Sequence, residues 1–413
     1  MVDEEACEST VAHEMGSDQM SRVAVYNLYW GTYGGAEQVS GAIAEHLRGG
    51  HEVTLFGPEP VDPAMAMDRL GVDVSGCGFV EVKNDLDASE ASAEFDVFVN
   101  GTYRSQAVCR AERGLYYVHF PQPLPTARQK RTESVARLAR TAMIGIDDAD
   151  TNAGKLARIK RGFGRRVVDR SWISTYSQFL ANSAYTANWT QQIWNVTSRV
   201  VFPPVRPVVN ADWNRKTATI SSIGRFFDPV HGHCKKQLDL LECFTRMHDL
   251  GRTKDQGSQW GLTFVGGADA PNRNYTLDVK KAARGYPVAV CINQPRSFVE
   301  DVLAQTSIYW HGSGFGEDES THPERFEHFG ISVVEAMAAG AVPVVFGAAG
   351  PAEIVRHGVD GFHWRTLEDL ARHTHTLMTD TDRRRAMAEA AVARAADFSL
   401  DRFRAALDGS IGL

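Results

Sequence analysis

Residues Val23 to Phe56 read VAVYNLYWGTYGGAEQVSGAIAEHLRGGHEVTLF. The stretch opens on one apolar run, Val23-Ala24-Val25-Tyr26, and closes on another, Val53-Thr54-Leu55-Phe56. Between them Gly31, Gly34 and Gly35 make a turn, and Val39, Ile43 and Leu47 recur on one stripe of a helix. Strand, glycine turn, helix and strand in that order are a βαβ unit, and such units build parallel sheets. Later short runs, Val97-Phe98-Val99, Leu115-Tyr116-Tyr117-Val118, Phe179-Leu180-Ala181 and Val200-Val201-Phe202, fit further strands of the same sheet. A first domain is therefore expected over 21–205, closing near Pro203-Pro204.

The pattern restarts at Ala218-Thr219-Ile220, which leads into Gly224-Arg225 and a helix around Leu238 to Met247. Leu262-Thr263-Phe264-Val265, Val288-Ala289-Val290, Ile308-Tyr309-Trp310 and Val342-Pro343-Val344-Val345 supply the strands of a second domain over 206–390. The tail from 366 to 413 reads as helical, with a last helix over 391–413 placed either on the second domain or back across the first. The fold class is α/β, two doubly wound domains with a cleft between them. Residues 1–20 are polar and acidic and read as a disordered leader, with Met20 an alternative start.

Composition narrows the function. The 413 residues suit two domains of similar size, and 43% hydrophobic with 23% charged residues is ordinary for a globular chain. No apolar run is long enough to span a bilayer and the N-terminus is acidic, which points to a cytoplasmic protein. Six scattered cysteines (7, 77, 109, 234, 243, 291) lack the close pairing of zinc or redox sites and read as reduced thiols. A net charge of -7 argues against a general nucleic-acid binder. Asp85-Leu86-Asp87 and Asp148-Ala149-Asp150 have the form of a metal-binding carboxylate pair but follow no convincing buried strand, so no metal is expected.

The chemistry concentrates in Glu327-His328-Phe329-Gly330-Ile331-Ser332-Val333-Val334-Glu335-Ala336-Met337-Ala338-Ala339-Gly340. A helix starting near Gly330 would aim free backbone N–H groups and the positive end of its dipole at an anion. Glu335 would lie inside that helix, able to accept hydrogen bonds from ribose hydroxyls, while Glu327 on the loop before it could face a sugar. The plain alternative is that Glu335 meets solvent. Gly224-Arg225 follows a strand, and Lys235 stands at the start of the next helix, where fixed cations could offset the charge that a departing diphosphate gains; the plain alternative is a solvated Lys235, and the adjacent Lys236 leaves the choice between the two lysines open. Gly34 and Gly35 could let backbone approach phosphate or just make a tight turn; their spacing is not the G-x-G-x-x-G of dinucleotide enzymes. His119 sits at the carboxyl end of a strand, where parallel α/β sheets bind ligands.

The Glu327 to Gly340 segment with the preceding Trp310-His311-Gly312 resembles the signature of family 4 glycosyltransferases, and the resemblance extends over about 21 to 400. The family implies two facing Rossmann-like domains (the GT-B architecture) and transfer of a sugar with retention, without a metal or other cofactor, from a nucleoside diphosphate donor. The closest likeness is to mannosyltransferases that extend lipid-linked oligosaccharides and to bacterial polysaccharide-cluster transferases, which favours GDP-mannose over UDP-hexoses. It implies that Glu327 and His119 meet the donor sugar and that Arg225 and Lys235 grip the diphosphate. Glu335 would take the ribose, and Gly34, Gly35, Gly224, Phe329, Gly330 and Ile331 would complete the donor site. The loop Gly316-Glu317-Asp318-Glu319-Ser320 is longer than in the shortest family members.

Between Arg128 and Arg170 twelve Lys or Arg face five acids. With Val135, Leu138, Ala139 and Ala142 at helical spacing, the segment is either a basic amphipathic element that meets anionic lipid or a phosphorylated acceptor, placing the protein peripherally at the inner membrane face, or a solvated surface. Trp189 and Trp194 read as packing at the domain junction. The expected function is hexosyl transfer to a hydroxyl of a glycan, lipid-linked or small-molecule acceptor. The rivals are a non-catalytic sugar-nucleotide binder and an epimerase or hydrolase on the same fold.

Overall fold

The computed structural model describes residues 20–123, 170–206, 211–232, 234–255 and 258–411. Its opening βαβ unit is β1 (Arg22–Tyr26), α1 (Gly35–Leu47) and β2 (Glu52–Gly57), with β1 and β2 paired in parallel. Gly34 caps α1: the Glu37 carboxylate turns back to accept from the Gly34 N–H at 2.7 Å and from the Thr32 hydroxyl at 2.8 Å. The sheet continues through β3 (Gly78–Glu81), β4 (Val97–Asn100), β5 (Arg113–Val118), β6 (Gln178–Ala181) and β7 (Arg199–Val200), in the order β3-β2-β1-β4-β5-β6-β7. Helices α2 (Pro63–Leu70), α3 (Asp85–Ala91) and α4 (Ala184–Trp194) cover it. Alternate residues of β1 enter different clusters, Val23 and Val25 against α1 and Ala24 and Tyr26 on the opposite face. All four are fully buried, which is why the run is apolar throughout instead of alternating.

The second sheet, β12-β11-β8-β13-β14-β15, is again parallel at every pairing. Its strands are β8 (Thr219–Ile223), β11 (Gly261–Gly266), β12 (Val288–Ile292), β13 (Ile308–His311), β14 (Val342–Phe346) and β15 (Phe362–Trp364), with a small β9 (Lys254–Asp255) and β10 (Ser258–Gln259) hairpin apart from it. The helices are α5 (Gln237–Asp249), α6 (Arg273–Ala282), α7 (Arg296–Gln305), α8 (Ile331–Ala338), α9 (Ala349–Ile354), α10 (Leu367–Thr379), α11 (Thr381–Ala395) and α12 (Leu400–Ile411).

Several sequence expectations change here. The run Val200-Val201-Phe202 pairs only through Arg199 and Val200. The tail is three helices, broken where the Asp380 side chain caps α11 and again at 396–399. Trp194 belongs to the first domain's own core, edge-on to Tyr116 and Trp172, and only Trp189 reaches the second domain's cluster. Asp85 is structural: it accepts from the Tyr26 and Ser105 hydroxyls and the Gln106 N–H. The leader and the basic segment lie outside the described residues, apart from their last residues Met20 and Arg170, as do Asp148 to Asp150 and Cys7. Among the described residues, no helix is long and apolar enough to cross a membrane.

Candidate functional site: the interdomain cleft

Each sheet reverses its strand order once, between β1 and β4 and between β8 and β13, and such switch points leave a crevice at the strands' carboxyl ends. The two crevices open on a common cavity of about 500 Å³. Of the residues that the resemblance assigns to the donor site, all line it except Arg225. Arg225 is exposed just past β8, with Nη2 3.7 Å from where a Gly34 side chain would begin, so its guanidinium bridges toward the glycine turn across the cleft mouth.

The second-domain wall is built by α8. Gly330 precedes it with φ 116°, a left-handed conformation that favours glycine. The first helical N–H groups, of Ile331 and Ser332, have no acceptor within the helix and lie on the cavity wall, as an anion site requires. The Tyr309 hydroxyl ties this end down, 2.9 Å from Ser332 Oγ and 3.2 Å from the Ile223 carbonyl. Phe329 lines the cavity as well, with its ring buried against Phe202 and Phe398.

Glu327 is the most heavily engaged group. Its Oε2 accepts from Lys235 Nζ and, at 3.0 Å, from His311 Nε2. Burial pushes its carboxyl up, but Lys235 and the His311 hydrogen bond together outweigh that and hold it well below the usual carboxylate range. Gly224 makes room, since a side chain there would begin 2.8 Å from Lys235 Cγ. Lys236 does not compete: its buried ammonium is 2.6 Å from Glu317 Oε1, whose other oxygen takes Arg325 at 2.9 Å. The acidic loop thus neutralises the neighbouring lysine and leaves Lys235 to the cleft. Glu335 is buried, not solvated, and pairs with Arg296 at 2.7 Å; burial raises its carboxyl and Arg296 counters.

On the facing wall, Gly35 approaches Ile331 so closely that a side chain would begin 2.8 Å from Ile331 Cδ1, whereas Gly31 meets nothing within 4 Å. His119 Nε2 lies 2.9 Å from the Gly101 carbonyl, and burial pushes its imidazole down to about 4. The ring is therefore neutral, donates through Nε2 and presents Nδ1 as an acceptor. Contacts across the junction hold the walls together. Glu353 of α9 accepts from the Ala184 and Tyr185 N–H groups at the start of α4 at 2.8 and 2.6 Å, and Phe120 stacks on His328 with centroids 4.1 Å apart. His311, Arg296 and Glu353 escaped the sequence reading; His311 stood in the quoted Trp310-His311-Gly312, but no local pattern marks the other two.

Residues 215–394 match the family model of group 1 glycosyl transferases. This group 1 match covers the wall that carries Arg225, Lys235, Glu327 and Glu335. The chain is 24% identical over 281 residues, 63% of its length, to a GDP-Man:Man(3)GlcNAc(2)-PP-Dol alpha-1,2-mannosyltransferase of Dictyostelium discoideum, covering 51% of that protein. It is 23% identical over 274 residues, 60% of its length, to the Alpha-1,3/1,6-mannosyltransferase ALG2 of Rhizomucor pusillus, covering 54% of it. The chain thus spans about half the length of these curated relatives. Among solved structures, Anabaena Alr3699/HepE in complex with UDP and glucose superposes with a TM-score of 0.66 at 16% identity over 95% of this chain and 99% of that one. WaaG, a glycosyltransferase involved in lipopolysaccharide biosynthesis, gives 0.57 at 14% identity over 95% and 100%. The fold is the two-domain GT-B architecture.

Proposed function

We propose that the chain is a retaining, metal-independent glycosyltransferase that moves a hexosyl group, mannose from GDP-mannose in the first instance, onto a hydroxyl of a glycan, lipid-linked or small-molecule acceptor. One observation carries the reading: Lys235, Glu327 and the N-terminus of α8 meet at a single cavity at the switch point of the second sheet. The donor diphosphate lies against the Ile331 and Ser332 N–H groups, with Lys235 and Arg225 as fixed cations, and Glu335 takes the ribose. Charge gathers on the diphosphate as the anomeric C–O bond breaks, and preorganised positive groups stabilise that charge most. The acceptor oxygen attacks from the face the diphosphate leaves, and its proton passes to the departing phosphate oxygen. Glu327 and the Nδ1 acceptor of neutral His119 orient the sugar. The mannosyltransferase relatives favour the GDP-linked donor.

Peripheral contact with an anionic membrane from the cytoplasmic side, through the basic 128–170 segment, belongs to the same reading and rests on its charge. Replacing the basic residues at 158, 160, 161, 165 and 166 by glutamine should abolish binding to phosphatidylserine vesicles; unchanged binding would remove the membrane from the proposal.

The primary test is thermal stabilisation by a panel of nucleoside diphosphates and their sugars, with and without magnesium, followed by transfer to acceptors. The reading requires a magnesium-independent shift that is lost in Glu335→Ala. Donor consumed without any acceptor would replace it with a hydrolase or epimerase, and binding without turnover would leave a sugar-nucleotide binder.

A further inference from the structure

His311 ends β13, across the switch point from the end of β8 that leads into Gly224 and Arg225. Its side chain is 3% exposed and is absent from the cavity lining, so it does not meet the substrate. Its backbone is held in place, for the carbonyl accepts from Trp364 Nε1 at 3.2 Å. The imidazole makes one hydrogen bond, Nε2 to Glu327 Oε2 at 3.0 Å. Nδ1 is buried with no hydrogen-bond partner among the described residues.

A buried imidazole with a single partner is a poor choice for packing alone, because an apolar ring would fill the space without an unsatisfied nitrogen. Burial keeps the ring neutral, and a neutral ring carries one proton. A lone pair at Nε2 would face carboxylate charge, so the proton belongs on Nε2 and the bond is a donation to Glu327. Lys235 reaches the same Oε2 on a flexible stem. The rigid strand-end imidazole, not the lysine, is therefore what sets the rotation of the carboxylate, which lines the cavity.

We infer that His311 is a positioning residue for sugar transfer, acting through its Nε2–H on Glu327 so that the carboxylate meets the donor sugar in one orientation. The inference rests on the glycosyltransferase reading above and deepens it. Small misplacements of a positioned group cost on the order of tenfold to a hundredfold in rate.

The experiment compares His311→Leu, which removes the donor, with His311→Gln, whose side-chain N–H can reach the same oxygen. Transfer, binding of GDP-mannose and UDP-glucose, and binding of GDP and UDP are measured in each. His311→Leu should lose about tenfold to a hundredfold in kcat and weaken the nucleotide sugar, with the nucleoside diphosphate unchanged; His311→Gln should recover to within about threefold of wild type. Equal losses in both variants, or a leucine variant within about twofold of wild-type kcat, would overturn the role. Nitrogen NMR of histidine-labelled wild-type protein reads the bond without any turnover. It should show His311 protonated on Nε2 with a resonance that moves in Glu327→Gln, and a proton on Nδ1 instead overturns the inference. If the wild type transfers no sugar, the functional reading fails, and the tautomer then decides whether His311 holds Glu327.

Discussion

The two adjacent lysines show how a few ångströms of side-chain placement assign a role that sequence leaves open. Lys235 turns to Glu327 in the cleft, while Lys236, in a left-handed backbone conformation at φ 58°, is neutralised by Glu317. Lys235→Ala should lower kcat/KM for transfer about a hundredfold, as loss of one preorganised charge stabiliser does, with the fold intact. Lys236→Ala should instead leave Glu317 short of one partner and lower Tm, with transfer by the folded fraction near wild type. Initial rates and melting curves on both variants separate the cases, and the reverse pattern would give the phosphate to Lys236. His119 makes a pH prediction. Its folded pKa is about 4 against an ordinary 6.5, so between those values the unfolded chain binds a proton that the folded one refuses. Stability therefore falls as pH drops from 6.5 to 4, by at most about 3 kcal/mol and less for a ring that partly faces the cleft. Chemical denaturation across that range should show a shallower fall in His119→Gln; an identical slope would mean the ring does not resist protonation.

Between elements, the close approaches are made by glycines, and these divide what the sequence disclosed from what it hid. The runs that became β1, β4, β5, β13 and β14 were legible because a strand buried on both faces must be apolar along nearly its whole length. β3, with half-buried Phe79 and Val80 in Gly78–Glu81, and the three-residue β15 carry too little of that signal. The motif glutamates and the strand-end basic residues were legible because their chemistry depends on local spacing. Arg296 and Glu353 were not, since their partners lie 39 residues away in one case and 168 to 169 in the other, a separation that only the folded chain closes. Gly266 belongs to the hidden group: a side chain there would begin 1.9 Å from the Gly224 carbonyl oxygen, backbone that cannot step aside. Gly266→Ala should cost about 1–3 kcal/mol and displace the end of β8 with Gly224 and Arg225. Loss of nucleotide affinity together with a lowered Tm would show that the two strand ends are one unit; full affinity would separate them.

At the scale of the molecule, two of the contacts that fasten the domains together differ in kind. α12 leaves the second domain and buries Phe403 and Leu407 in the first domain's core beside Val23 and Val39, while Arg404 pairs with Glu45. Its contribution is apolar and permanent, since exposing those side chains to open the cleft would cost several kcal/mol. The second contact, Glu353 of α9 on the N-terminus of α4, is polar and wet at its edge. It is therefore the contact that can break when substrates enter. A carboxylate there satisfies two N–H groups and meets the positive end of the helix dipole, which together are worth about 1–3 kcal/mol. Removing it shifts the balance toward an open cleft by that amount, while every residue of the second-domain wall stays in place. Glu353→Ala should accordingly raise KM for the nucleotide sugar by about fivefold to a hundredfold and change kcat at saturation far less, because bound donor restores closure at the expense of binding energy. Small-angle scattering should show a larger radius of gyration for the free variant that returns to the wild-type value with donor. An unchanged radius and KM would mean that α12 and the aromatic stack of Phe120 on His328 hold the cleft closed without Glu353.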